Sequence, residues 1–469
     1  MSNSAIKDSL VVCQNSHGVE LRATLLRLTR FVAVFEVYSS ASLLRTSEVL
    51  ADFRIVIAER TVYSGRAVVS NIIHSGSVTV CEVKLDEGSL NVVGFAPLNG
   101  HLSVADSFNN FLTDWQKVYK IAPDFKVVIA DMQTFLADMR LWLDQIELEF
   151  RSHPDSSHAD REKEFLDKLG QPIVPAFNAM HERMEDISEK IDEDLRPVHQ
   201  SFAKRQLHPL MLCSPFAYRT YHKPLGYAGD YEMVNMITRS PYEGISLFAK
   251  MVNLWFLRQY PSEAHRNRIK YLKERLVEEC ARAARAGKHL RILNLGCGPA
   301  VEVQEFLAES PLSDHAQFTL LDFNDETIQH THHVLEQLQR NYGRRTQIKI
   351  QKKSVHHVLK ESARPSGEKY DYIYCAGLFD YLADRTCKQL MNIFYAWLAP
   401  GGLLVATNVE ACKPFRHMLE FVLDWHLIYR NEAGGAKLIP DATPGDAARI
   451  TKDVTEVNIF IEVRKPENG

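Results

Sequence analysis

The sequence predicts a multidomain chain: a small β-barrel, a helical middle segment, and a C-terminal α/β domain built on a doubly wound sheet. Three observations predict it. Short β-branched runs punctuated by turn residues fill the first hundred positions. Apolar residues then recur at three- and four-residue steps. From His289 onward apolar strands alternate with helical stretches, and the first strand runs straight into a Gly-x-Gly turn. The 469 residues leave room for about three domains at roughly 150 residues each.

Composition excludes several classes. Hydrophobic residues at 45% and charged residues at 24% are ordinary globular usage, which excludes a disordered chain, a collagen-like fibre and a disulfide miniprotein. No apolar stretch approaches the roughly 18 residues of a membrane helix, and MSNSAIKDSL is not a signal peptide. A net charge of -4 gives no general pull toward nucleic acid or anionic lipid. The eight cysteines are scattered and form no CxxC pair, so neither a metal site nor a disulfide framework is expected. The expectation is a reduced, cytoplasmic protein.

Residues 1–100 justify the barrel. LRLTRFVAVFEVY alternates and then runs apolar, and VSNIIHSGSVTVCEVKL mixes β-branched runs with turn residues. Ser64-Gly65, Ser75-Gly76 and Glu87-Gly88 are placed as turns. Arg27 and Arg30, with Asn71-Ile72-Ile73-His74-Ser75-Gly76, resemble a PilZ-type domain, the bacterial module that binds cyclic dinucleotides. The resemblance implies a cyclic dinucleotide as ligand, its phosphates clamped by the arginines. The sequence departs from that pattern twice: the arginines are spaced RxxR instead of RxxxR, and Ile73 stands where a serine is expected. A degenerate barrel used for packing or for a homodimer is the competing reading.

Residues 101–205 read as helical. Met132, Phe135, Met139, Trp142 and Ile146 form an apolar stripe. The polar stretch RSHPDSSHADREKE reads as a loop, and the charged amphipathic pattern then resumes. This segment is a spacer, a dimer interface or a cap over substrate.

Residues 206–469 carry the chemistry, and 289–469 form the α/β core within them. His289 to Leu295 is a strand, Gly296-Cys297-Gly298 a turn that admits a ligand close to the backbone, and VEVQEFLAE a helix. A second strand ends in Asp322, 26 residues after Gly296, where an acid accepts hydrogen bonds from ribose hydroxyls. A nicotinamide dinucleotide site would put a third glycine where Val301 stands. The strand Lys349–Val355, the strand and loop Tyr370–Leu382, and the Pro400-Gly401-Gly402 turn before another strand complete the pattern. In this order the elements resemble class I S-adenosylmethionine-dependent methyltransferases. The resemblance implies a Rossmann-like sheet of seven strands, the antiparallel last one at Glu456–Val463. It also implies S-adenosylmethionine as cofactor: Gly296, Cys297 and Gly298 at the methionine end, Asp322 and Phe323 at the ribose, Ser354 and Val355 at the adenine, and Cys375 and Ala376 beside them. Cys297 reads as a small buried filler.

Residues 206–288 form a helical preface with an unusual block, Pro215–Asn235, dense in tyrosine and broken by proline and glycine. It reads as an active-site lid or as an ordered surface loop with core tyrosines. As a lid it offers Tyr218, Arg219, Tyr221, Asp230 and Tyr231 to substrate, and Tyr227 and Lys223 to catalysis beside Asp380 and Tyr381. This block, with Phe379–Leu382 and Leu423–Arg430, resembles a bacterial group identified as biosynthesis proteins for 3-hydroxypalmitic acid methyl ester, an extracellular signal of the quorum-sensing kind. The resemblance implies O-methylation of a fatty-acid carboxylate. A carboxylate is ionised at pH 7 and needs no base. A hydroxyl or amine acceptor on another metabolite, the alternative reading, needs one. Asp380, His417 and His426 are the candidates for it. Met418, Phe421, Val422, Trp425 and Ile428 read as a helical stripe for core packing or an acyl pocket. A third reading, from another class, is a nucleotide-sensing signalling effector.

Overall fold

The computed structural model describes residues 9–37, 44–57, 60–75, 78–86, 120–152, 158–361 and 369–467. Its strands are β1 (Ser9–Gln14), β2 (Glu20–Leu28), β3 (Val32–Val37), β4 (Val49–Ile57), β5 (Arg60–Ser75), β6 (Val78–Leu85), β7 (Leu290–Leu295), β8 (Ala316–Asp322), β9 (Gln347–Lys352), β10 (Tyr370–Cys375), β11 (Leu398–Val409), β12 (Ala448–Lys452) and β13 (Asn458–Arg464). Its helices are α1 (Pro123–Ser152), α2 (His158–Glu189), α3 (Arg196–Met211), α4 (Pro215–His222), α5 (Tyr231–Thr238), α6 (Leu247–Leu257), α7 (Tyr260–Arg285), α8 (Val301–Glu309), α9 (Asp325–Tyr342), α10 (Val355–Glu361), α11 (Asp384–Trp397), α12 (Arg416–Val422) and α13 (Glu432–Ala436). Among the described residues no helix is long and apolar enough to cross a membrane.

Two compact units share the chain. One gathers Met1–Ala228, Pro241–Phe256 and Pro414–His426; the other gathers Gly229–Ser240, Leu257–Lys413 and Leu427–Gly469.

The first unit opens with a closed antiparallel barrel in the order β1-β2-β3-β6-β5-β4, as its alternating strands predict. Leu21, Ala23 and Leu25 on β2 point inward, joining Phe35, Phe53 and Tyr63 in the core. Ser64-Gly65 is not a turn: β5 runs through it, and Gly65 pairs across the ladder with Phe53. Position 65 there leaves an aromatic ring unobstructed opposite a missing side chain. Gly76, Glu87 and Gly88 lie outside the described residues. Arg27 follows an irregularity in the β2–β3 ladder, and both Arg27 and Arg30 are exposed.

The helices of this unit depart from the expected stripe. On α1 the buried face is Phe125, Val128, Met132, Leu136, Met139 and Leu143, whereas Trp142 is 44% exposed. Met132 and Met139 of the expected stripe are buried and Phe135 and Ile146 half-buried, so the buried face is rotated from the expected one and only Trp142 falls outside it. The polar stretch is only in part a loop, because α2 already begins at His158 and carries Asp160 in its first turn. The stripe through Trp425 and Ile428 is not one helix either. α12 stops at Val422, Asp424 adopts φ +48, and Trp425 N–H returns to the Leu423-proximal turn by bonding Leu419 O at 2.8 Å.

α12 is a buried seven-residue helix with both ends capped by side chains. Glu185 of α2 accepts from His417 N–H at 2.9 Å and Met418 N–H at 2.7 Å. At the other end His208 Nε2 donates to Val422 O at 2.8 Å, and Lys223 Nζ donates to Leu423 O at 2.9 Å. A carboxylate thus meets the N–H end and donors meet the carbonyl end, as the helix dipole favours.

The second unit is a seven-stranded sheet in the order β12-β13-β11-β10-β7-β8-β9. β7 to β11 run parallel, and β13 is antiparallel to both β11 and β12. The expected Rossmann-like fold is present. Its succession reverses between β7 and β10: β8 and β9 continue to one side, β11 to the other. The carboxyl ends of strands beside such a reversal open into a crevice, the usual place for a ligand in this architecture.

Candidate active site

The crevice starts with the glycine turn. Gly296 and Gly298 have φ of +74° and +50°, values that residues with a Cβ rarely adopt. The turn is tied to the next strand: Gly296 and Cys297 N–H groups both bond Leu321 O, at 2.8 and 3.1 Å. Nothing lies within 4 Å of where a Cβ on Gly298 would sit, and Gly296 meets only Leu378. The result is a cradle of bare backbone at the head of α8.

Asp322 closes one side of that cradle. Its carboxylate accepts from Gly298 N–H at 3.1 Å and from Asn324 N–H at 3.0 Å. Phe323 follows it, half-buried. Lys353 N–H bonds Asp322 O at 2.8 Å, bringing the end of β9 alongside. β9 ends at Lys352, short of the expected Val355. Ser354 and Val355 instead open α10, both buried, with Ser354 Oγ 2.8 Å from His357 Nδ1. Folding therefore brings Gly296, Gly298, Asp322, Phe323, Ser354 and Val355 to neighbouring strand ends. Cys297 is buried, and burial pushes its thiol well above the ordinary range. That suits a packing residue and not a nucleophile.

β10 supplies the other side. Cys375 is its last residue, Ala376 follows, and Gly377 N–H bonds Thr407 Oγ1 at 3.1 Å. The Arg268 guanidinium of α7 lies 3.0 Å from where a Cβ on Gly377 would sit. It also touches the His265 ring at 3.0 Å. Arg268 is buried and His265 half-buried, and desolvation first, then the neighbouring arginine, lowers His265 well below the ordinary histidine range. Glu302, in the first turn of α8, accepts from Tyr374 Oη at 2.7 Å, and burial raises its carboxyl.

Arg268, His265 and Glu302 escaped the sequence reading. A signal existed: Ala264, Arg268, Leu272 and Leu276 are the buried steps of α7, so an arginine sits on an apolar stripe.

Asp380 sits in the loop after β10, where its carboxylate accepts from Val409 N–H at 2.7 Å. Burial raises its carboxyl, and Arg268 and Arg430 oppose the rise. Arg430 pins the same loop through Phe379 O at 2.8 Å and Leu382 O at 2.6 Å. The Tyr381 hydroxyl lies 2.8 Å from where a Cβ on Gly229 would sit, so that backbone passes directly under it. Asp230 caps α5 by accepting from Met233 N–H at 2.9 Å, and Tyr231 Oη donates to Glu326 at 2.8 Å. Tyr218, Arg219, Tyr221, Lys223 and Tyr227 belong to the N-terminal unit. There Lys223 is fully buried on Leu423 O, and Tyr221 packs its ring under Arg66 at 4.6 Å.

Residues 293–404 match a family model described as a methyltransferase domain, which spans the glycine turn, Asp322 and β10. The match lies wholly within the C-terminal unit. Among solved structures, a possible exported protein from Bordetella parapertussis is similar at 19% identity, over 53% of this chain and 86% of its own, with a TM-score of 0.40. An N-methyltransferase from Bradyrhizobium japonicum, solved with S-adenosyl-L-homocysteine, is 16% identical over 53% of this chain and 100% of its own, at a TM-score of 0.30. A magnesium protoporphyrin IX methyltransferase from Synechocystis, solved with S-adenosylmethionine, is 11% identical over 44% and 84%, at a TM-score of 0.30. No curated protein matches the chain. The bare glycine cradle and the strand-end acid leave room for a ligand such as S-adenosylmethionine, for a side chain on Gly298 would fill the space they frame.

Proposed function

We propose that the chain methylates a carboxylate on a small-molecule acceptor, a 3-hydroxy fatty acid in the first instance, and so forms a methyl ester. The observation that carries the reading is Arg268, a buried guanidinium held by His265 at the head of β10. A buried guanidinium seeks a bidentate carboxylate partner.

When bound, S-adenosylmethionine supplies an electrophilic methyl on a sulfonium. The glycine turn would hold its methionine end, Asp322 and Phe323 its ribose, and Ser354 and Val355 its adenine, with Cys375 and Ala376 beside them. Arg268 would hold the acceptor carboxylate and turn one of its oxygens toward that methyl. No proton moves, so no side chain acts as base. The protein's contribution is alignment and exclusion of water. Of the lid reading this keeps Asp230, Tyr231 and Tyr381, which share a unit with the glycine turn; Tyr218, Arg219, Tyr221, Lys223 and Tyr227 belong to the other unit and have no part in it. A cytoplasmic setting and a PilZ-like ancestry for the barrel, with Arg27 and Arg30 exposed, belong to the same reading.

The test is methyl-ester formation from labelled donor and 3-hydroxypalmitate, with Arg268→Met alongside. The expected result is ester product, a rate flat from about pH 6 to 9, and in the variant a raised KM for acceptor with unchanged S-adenosylhomocysteine affinity. A rate that climbs with pH transfers the reading to a hydroxyl or amine acceptor. Weakened S-adenosylhomocysteine binding in the variant assigns Arg268 to the cofactor's own carboxylate.

A further inference from the structure

Helix α1 has two apolar lines, and packing within the first unit covers one of them. The second runs along the solvent side through Val127, Ala130, Thr134, Ala137, Leu141 and Leu148. Successive members alternate in steps of three and four residues, with Asp144 at the position between the two leucines. This is the a/d spacing of a coiled coil, kept over roughly three heptads and about 30 Å of helix. Ala137 is half-covered and the others are exposed, Val127 at 48%, Leu141 at 65% and Leu148 at 68%.

A single exposed leucine needs no explanation, but a gathered patch does. The C-terminal end of the line is such a patch. Trp142 flanks it, and Glu147 accepts from Leu247 N–H at 3.0 Å, which brings the loop carrying Ile245 alongside. Ile245 is 92% exposed.

The flanking charges select what covers the line. With Val127, Thr134, Leu141 and Leu148 as a positions, Lys126, Gln133 and Arg140 precede them on the g flank, and Asp131, Asp138 and Gln145 form the e flank. One flank is basic or neutral as far as Arg140; the other is acidic or neutral. In a parallel, in-register pair of identical helices, each g position lies against the following e position of the other copy. Lys126 then meets Asp131, Gln133 meets Asp138, and Arg140 meets Gln145, each twice by symmetry. In an antiparallel pair the e flanks face one another, aspartate against aspartate. Within one chain Asp131 is bonded by Arg183 at 3.2 Å and Arg140 stands 3.8 Å from Asp144. Both pairs are about half-exposed, and exposed pairs hold little energy.

We propose that a second copy of this chain covers the line, α1 against α1, parallel and in register. Ala130, Thr134 and Ala137 let the two backbones approach, and Leu141 and Leu148 supply the apolar contact. Asp144 is the weak layer: it meets its own copy, with Arg140 beside each carboxylate to offset the repulsion. A polar core position of this kind lowers affinity and fixes register. The pairing uses the first unit alone and is independent of the methyl-transfer reading.

Sedimentation velocity of the full chain over a range of concentrations tests it. A reversible dimer is expected. Leu141→Glu with Leu148→Glu should weaken it at least about tenfold at an unchanged melting temperature, both side chains being exposed. Asp144→Leu should tighten it at least about tenfold. Ala130→Cys, made with Cys412→Ser to remove the exposed native thiol, should cross-link to its own copy on mild oxidation, as a parallel register requires. A chain that stays monomeric throughout overturns the proposal, as does a dimer indifferent to both the double leucine variant and Asp144→Leu. A dimer in which Ala130→Cys does not cross-link overturns the parallel register. If the double variant fails to fold, Asp144→Leu and the cross-link decide.

Discussion

Arg66, on barrel strand β5, donates to the Asp424 carboxylate at 3.1 Å across 358 residues of sequence. Lys204 of α3 reaches the same carboxylate at 3.1 Å. Asp424 is buried, and its neighbours Lys204, Arg66 and Lys223 hold its carboxyl far below the usual carboxylate range against the cost of burial. Removing one member of a buried ion cluster strands the others without compensation. Asp424→Ala should therefore cost about 3–5 kcal/mol of stability. Asp424→Asn, which still tolerates the positive φ, should cost less. Urea unfolding followed by tryptophan fluorescence measures both; a loss below about 1 kcal/mol in Asp424→Ala would show the cluster to be ornamental.

Acid should weaken the N-terminal unit well before ordinary carboxylates titrate. His208 and His426 are both pushed down to about 4, in each case mainly by burial. A base with a lowered folded pKa stabilises fully above its ordinary value near 6.5. It loses that contribution as pH falls from there to about 4, because the unfolded chain takes the proton first. The loss is on the order of 3 kcal/mol per histidine at about 1.4 kcal/mol per unit. His426 Nε2 is buried without a partner, so His426→Leu should remove roughly half of the acid sensitivity. Melting curves from pH 7.5 to 4 check this, and parallel curves for wild type and variant would refute it.

Asp322→Asn should lower S-adenosylhomocysteine affinity by about 10- to 100-fold, the value of one or two hydrogen bonds to a charged acceptor. Asparagine keeps one acceptor for the Gly298 or Asn324 N–H and loses the charge. Calorimetry gives the affinity, with thermal melting as the control for folding. Equal affinity would remove Asp322 from the ribose.

Gly377→Ala places a methyl 3.0 Å from Arg268 Nη2, at a backbone φ of +74°. The conformation alone costs about 1–2 kcal/mol, and the guanidinium must shift. Turnover should fall more than S-adenosylhomocysteine affinity, read in parallel assays. Wild-type turnover would mean that Arg268 is not beside the reacting groups.

What the sequence showed and what it hid divide along distance in the chain. Gly296, Gly298 and Asp322 were legible because a strand, a turn and a helix fall within a few dozen residues, and each has its own local grammar. Strand pattern likewise announced the barrel and the seven-stranded sheet. Ser64-Gly65 misled because a glycine opposite an aromatic ring looks the same as a glycine in a turn. Trp142 misled because helical periodicity fixes a spacing and not the rotation of the covered face. Arg268 and the Arg66–Lys204–Asp424 cluster were hidden because their partners are brought together only by tertiary folding.

The placement of α12 has a consequence for how the protein is made. The first unit is closed by Pro414–His426, which follows most of the second unit in the chain. At roughly 5–20 residues per second of translation, Asp424 emerges roughly 20–70 s after Arg66, 358 residues earlier. Through that interval Phe125, which packs against Phe421 at 6.0 Å, has no cover from that ring, and Glu185 has no helix end to cap. The nascent N-terminal half thus lacks this helix and the Asp424 carboxylate until most of the second unit has been made.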